Sequence, residues 1–202
     1  MTRRKSPWQD IEPGDLLYVR EAIDMGSDGD APRYSTKTAT GSLAERSHFL
    51  QMPLPEGWTY PRRTVPNIHM PRWASRITLQ VTGKRLERLQ EITTRDACEE
   101  GLSALGGLHF IPGADHSLAG YGDPDPRRVF MALWDSLNAK RGSGWDANPE
   151  VIAISFTVHR ANVDTLPISG RVRPILFSAA MVRALLEGRK TQTRRLAWRG
   201  RE

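Results

Sequence analysis

The stretch VIAISFTV, Val151–Val158, constrains the fold of this chain more than any other. It is almost continuously apolar and rich in β-branched residues, which predicts a strand buried on both faces. A strand of that kind needs neighbours, and the sequence supplies them. DLLYVRE, Asp15–Glu21, follows the turn EPGD and reads as a first strand. SRITLQVT alternates Ile77, Leu79 and Val81 with polar residues, the pattern of a half-buried strand, and RLERL extends or follows it. RPILF, ending at Phe177, gives a further short strand.

Helical signals sit between these strands. PRRVFMALWDSLNAK carries Val129, Phe130, Leu133, Trp134 and Leu137 as one apolar stripe. In TTRDACEEG, Thr93 is the expected N-cap, with Asp96 three residues on and Gly101 as the stop. Ser178 is expected to cap a last helix whose Val182, Leu185 and Leu186 face inward, and Gly188 ends it. Short strands interrupted by two or three helices predict an α+β domain, a small curved or closed sheet with helices at its rim. Two polar segments interrupt this plan. Ala22 to Asn67 is proline-rich and poor in aliphatics, which predicts a mobile insertion or one that orders only over a cleft. Residues 102 to 126 read as loop, and Arg160 to Arg171 as a linker.

The chain has 202 residues, enough for a single domain with its own core, and a net charge of +6 that favours a polyanionic partner. Its one cysteine, Cys98, excludes an internal disulfide and is expected to be a small buried residue. His109, His116 and Asp115 lack any recognised metal-ligand spacing, so neither a metal nor another cofactor is expected. MTRRKSPWQD lacks the apolar core of a signal peptide, and no run reaches the ~18 apolar residues of a membrane span. A soluble, cytoplasmic protein is the expectation.

The densest chemistry lies in GRKTQTRR, Gly188–Arg195. Lys190 stands among Arg189, Arg194 and Arg195, whose like charge lowers a lysine pKa towards that of a general base. A threonine hydroxyl beside such a base, here Thr193, can attack a carbonyl, and a nearby carboxylate can orient the lysine. Plainer readings stand beside these: a solvated or phosphate-contacting lysine, a β-strand threonine, and Arg195 paired with an acid. In one regular strand Lys190 and Thr193 would also point to opposite faces, so the catalytic reading requires a bend after Gly188. Trp73, between Arg72 and Arg76, suits base stacking with phosphate contacts, or else packs in a core. Trp134 and Trp145 are assigned to core packing.

GRKTQTRR also resembles the signature of ASCH domains, a branch of the PUA-like superfamily, with the pattern Gly-x-Lys-x-x-Glu-x-Arg. Gly188, Lys190 and Arg195 match it, and Thr193 stands where the usual glutamate does. GDLLYVRE, HMPRWASRITLQVT, FMALWDSLNAKRGSGWDANP and ISF are similar to segments of the phage and prophage members. The order differs: in the family the strand, helix and signature precede the GDLLYVRE segment, whereas here they come last. The resemblance therefore implies a circularly permuted PUA-like barrel, or a C-terminal strand and helix swapped onto a second copy to give a homodimer.

One bacterial branch of the family carries threonine at this signature position and removes the acyl group from N4-acylated cytidine. The implied catalytic set here is Lys190, Thr193 and Glu100. Gly188, Arg189, Arg194, Arg195, Arg72, Trp73 and Arg76 are implied as a nucleic-acid or substrate surface. Alternatives within the family are a non-catalytic reader of RNA or modified bases, and a ribonuclease; DNA remains an alternative to RNA as the polyanion.

Overall fold

A computed structural model describes residues 4–25, 33–34, 56–113, 118 and 120–198 of the chain. The predicted buried strand is β9, Glu150–His159, and its core positions Val151 to Ile154 are at most 2% exposed. On one side it pairs antiparallel with an eleven-residue strand, β5, Thr78–Arg88. RLERL therefore extends SRITLQVT, with a register shift between Val81 and Gly83 that bends the long strand. On the other side β9 pairs antiparallel with β11, Gln192–Leu196, the second half of GRKTQTRR. β5 also pairs with β1, Leu16–Arg20, and β1 carries β10, Val172–Leu176, as a parallel edge strand. The order is β10-β1-β5-β9-β11.

The fold is thus α+β around a five-stranded mixed sheet, and the sheet is not a closed barrel. β10 and β11 are its two free edges. Arg195 on β11 nevertheless donates to the Leu176 carbonyl at the end of β10, 2.9 Å, so the sheet curls until its edges are one side chain apart. The C-terminal strand, helix and strand fold back onto the rest of the same chain. The linker from Arg160 to Arg171 is fastened along the way. Asn162 donates to the carbonyls of Arg72, Trp73 and Ser75, and the Arg171 amide donates to Asp15, 2.7 Å.

Among the described residues three α-helices pack against the sheet. Thr93 caps α1, Thr94–Glu99, accepting from the Asp96 amide, and Gly101 follows it at φ 106°. α2, Pro126–Asn138, buries Val129, Phe130 and Trp134 but leaves Leu137 63% exposed, so the predicted stripe is incomplete at its last turn. Ser178 caps α3, Ala179–Leu186. Trp145 begins a short turn at the edge of the cluster that holds Trp134, and Asn148 closes that turn with φ 40°.

Both segments read as loop carry structure. Within 102–126, β6 (Ser103–Leu105), β7 (Leu108–Phe110) and β8 (Gly122–Asp123) form an antiparallel meander. Within 22–67, β2 (Ile23–Asp24), β3 (Arg33–Tyr34) and β4 (Thr64–Val65) form a second small sheet. Ile23, Tyr34, Val65, Met70 and Ala74 make a separate apolar cluster under it, with Trp58, Tyr60 and Trp73 packed alongside. The insertion was expected to lack the apolar groups for this. It obtains them by drawing on Met70, Trp73 and Ala74 beyond its own end. Residues 26–32 and 35–55 of that segment, and Asp115 and His116, lie outside the described residues. Among the described residues no helix is long and apolar enough to cross a membrane.

Candidate functional site

The site begins at the end of α3. Gly188 takes φ 74°, and its amide and that of Arg189 donate back to the carbonyls of Leu185 and Ala184, 3.1 and 3.0 Å. This is the double-bonded cap that turns a chain sharply out of a helix. The bend required after Gly188 is therefore present. Lys190 emerges from it beside the end of α1, in an isolated bridge with Glu100. The Thr191 amide donates to the Glu99 carbonyl, 2.9 Å, and β11 starts one residue later.

Lys190 is 1% exposed and Glu100 3%. The ammonium donates to Glu100 Oε2, 2.8 Å, and to the Glu100 carbonyl, 2.9 Å. Glu100 Oε1 accepts from Arg194, 3.2 Å, so one buried carboxylate serves two cations. Burial pushes the Lys190 pKa down; Glu100 opposes the shift, and Arg195 and Arg194 add to it. Desolvation dominates, with the neighbouring arginines contributing less than the sequence suggests.

β11 then sorts its side chains by alternation. Gln192 and Arg194 face carboxylates: Gln192 donates to Asp96, 3.2 Å, and Arg194 pairs with Glu87, Asp96 and Glu100 at 2.8, 3.2 and 3.2 Å. Thr193 and Arg195 face the other way, on the side of their cross-strand neighbours Ile154 and Ile152. Thr193 is 4% exposed, and its hydroxyl bonds neither Lys190 nor any other described residue. The Arg195 guanidinium lies 5.3 Å from the Trp8 ring and 5.2 Å from Phe177, and Lys190 Nζ is 5.5 Å from that same Phe177 ring.

Glu100, Lys190, Thr193 and Arg195 all line one cavity of about 850 Å³. Its further walls come from α2, through Phe130 and Leu133, from the start of α3, and from Ser6 and Trp8 in the N-terminal segment. That volume is within the range of small-molecule sites.

The remaining predicted positions lie elsewhere or are engaged. Arg189 bonds Glu187 and the Gly101 carbonyl. Arg72 pairs with Asp164, 2.5 Å. Arg76 grips buried Glu21 through two bonds, 2.8 and 2.9 Å, and lies over the Tyr34 ring. Trp73 packs edge-on against Trp58 in the second apolar cluster. Arg194 has no exposed side-chain surface. All four arginines thus form ion pairs with carboxylates of the chain. Cys98 is partly exposed, with Sγ 3.9 Å from His109 Nδ1, and burial and Glu99 push its pKa up, away from thiolate. Among the described residues no cluster of three or more His, Cys, Asp or Glu side chains could hold a metal.

The sequence reading missed Ser6 and Trp8, 182 and 180 positions before Gly188, and Phe177, eleven before it and separated from it by α3. It also missed Glu87 and Asp96, the acids that claim Arg194. A surplus of cations in GRKTQTRR was the available signal, since buried arginines require carboxylates from somewhere. No protein-family model, curated protein or solved structure matches the chain.

Proposed function

We propose that the chain is a circularly permuted ASCH-type domain that hydrolyses an acyl amide on a modified nucleoside of the N4-acylated cytidine kind. The observation that carries this reading is the convergence of Glu100, Lys190 and Thr193 on one cavity, although Glu100 and Lys190 are 90 residues apart. The permuted order is supported by the C-terminal segment, which adds an edge strand on each side of the sheet.

In the proposed chemistry the neutral amine of Lys190 takes the proton of Thr193 as its oxygen attacks the acyl carbon. The C–N bond then breaks, the leaving exocyclic amine receives that proton, and a threonine ester remains. Water, deprotonated by Lys190, hydrolyses the ester and releases the acid and free Thr193. Glu100 orients the lysine throughout. The lowered pKa of Lys190 supplies part of the neutral amine this needs.

The second reading is a binding module without chemistry. It is favoured by the fact that both Lys190 bonds go to Glu100 and neither to Thr193. Thr193→Val separates the two. It keeps the shape and deletes a hydroxyl with no partner among the described residues, so the fold should lose little stability. N4-acetylcytidine and a panel of other modified nucleosides, followed by mass, should be deacylated by the native chain and left intact by Thr193→Val. Turnover at native rate in the variant makes water the nucleophile; no turnover of any substrate by the native chain leaves the binding module.

A further inference from the structure

Arg195 is a cation in search of an anion. Burial pushes its pKa down, and only Glu100 acts against that from a distance. No carboxylate pairs with it among the described residues; its one hydrogen bond goes to the Leu176 carbonyl, and its buried Nε has no acceptor. The two other arginines of the signature, Arg189 and Arg194, both have acidic partners. Trp8 and Phe177 flank it, and all three residues line the cavity.

Two further observations place unused donors in the same cavity. α3 begins three residues after Leu176, and its first residues Ala179 and Ala180 line the cavity with amides that have no acceptor among the described residues. Ser178 is already spent on the Met181 amide. Ser6, 5% exposed, presents to the same cavity a hydroxyl with no partner among the described residues. A guanidinium, a helix N-terminus and a hydroxyl lining one cavity form a site for a tetrahedral oxyanion.

We infer that the cavity takes its ligand as a phosphomonoester, a nucleotide in place of a free nucleoside, with the phosphate held by Arg195 and the amides that open α3. The choice of a nucleotide rests on the nucleoside reading above; the anion site itself does not. Arg195 then acts in binding, and the acyl chemistry is left to Lys190 and Thr193 on the adjoining wall.

Calorimetry with cytidine, cytidine 5′-monophosphate and inorganic phosphate tests this on the intact chain. The monophosphate should bind about ten- to a hundredfold more tightly than cytidine, the value of a charge-assisted contact. Arg195→Gln should remove that advantage, and Arg195→Lys should retain part of it. Inorganic phosphate should shift the amide resonances of Ala179 and Ala180 in the native protein, a readout that needs no variant. Equal affinity for cytidine and its monophosphate, or an advantage that survives Arg195→Gln, overturns the inference even if neutral nucleosides are deacylated. Arg195-dependent phosphate binding with no affinity for any nucleoside upholds the anion site and sinks the nucleoside reading instead.

Discussion

Lys190 carries two conflicting demands. As an ion-pair partner of Glu100 it should be charged; as a base it must be neutral. Its burial decides which demand the fold favours, because a cation removed from water shifts towards its neutral form. The same burial complicates any activity test at this position. Removing the ammonium leaves Glu100 with Arg194 alone, and breaking a buried pair of this kind costs about 3–5 kcal/mol. Lys190→Met should therefore unfold at lower denaturant than the native chain, and adding Glu100→Gln should recover part of the loss. The pH dependence follows from the sign of the shift. Between its lowered folded pKa and the ordinary 10.5, the unfolded lysine holds a proton that the folded one does not. Stability then rises with pH across that window. The advantage of the native chain over Lys190→Met should grow as the pH climbs towards 10.5, measured by urea unfolding at several pH values. A flat or shrinking advantage would mean an ammonium held charged by Glu100, and the base role would go with it.

At the scale of elements, the parts whose determinants are local were legible. Thr93, Ser178 and Gly188 act through neighbours three or four residues away, and all three do what their positions predict. VIAISFTV was legible because a doubly buried strand must be apolar throughout. The meander after α1 and the second sheet were not, because two- and three-residue strands have no period to detect. Their stability comes from partners distant in sequence, as when the Tyr34 hydroxyl donates to the Ala74 carbonyl, 2.9 Å. The site was half legible for the same reason: Lys190, Thr193 and Glu100 carried a motif, whereas Trp8, Ser6 and the acids around Arg194 meet it only through the fold. The two glycines that flank the Lys190–Glu100 bridge offer a graded test. At Gly188 an added methyl meets nothing, so Gly188→Ala costs only the left-handed backbone, about 1–2 kcal/mol. At Gly101 the methyl would come within 2.9 Å of Ala184 Cβ and 3.1 Å of Lys190 Cβ. Gly101→Ala should lose clearly more stability in denaturant melts and disturb the resonances of Lys190. Equal losses in the two variants would show that the α1 end yields freely and does not fix the lysine.

For the molecule as a whole, net charge and usable charge are different quantities. The excess of +6 invites the picture of a basic face laid along a polyanion. The arginines first assigned to that face are absorbed by the architecture. Arg76 ties β1 to the second sheet through Glu21 and Tyr34, Arg72 ties the β9–β10 connection to the chain before β5, and Arg194 ties β11 to β5 and α1. A guanidinium that already neutralises a carboxylate releases few counterions on meeting a phosphate. Affinity for a short RNA or DNA, measured by fluorescence anisotropy across a salt series, tests this directly. Each phosphate contact contributes ~0.7–0.9 to the slope of log affinity against log salt. Arg72→Gln, whose ion pair is exposed, should leave that slope unchanged, because its guanidinium serves Asp164. Arg76→Gln should lower thermal stability, since it strands buried Glu21, again without changing the slope of the fraction that stays folded. A decrease of about one unit on either substitution would return these side chains to a nucleic-acid contact. It would also mean that their internal ion pairs open when a polyanion arrives.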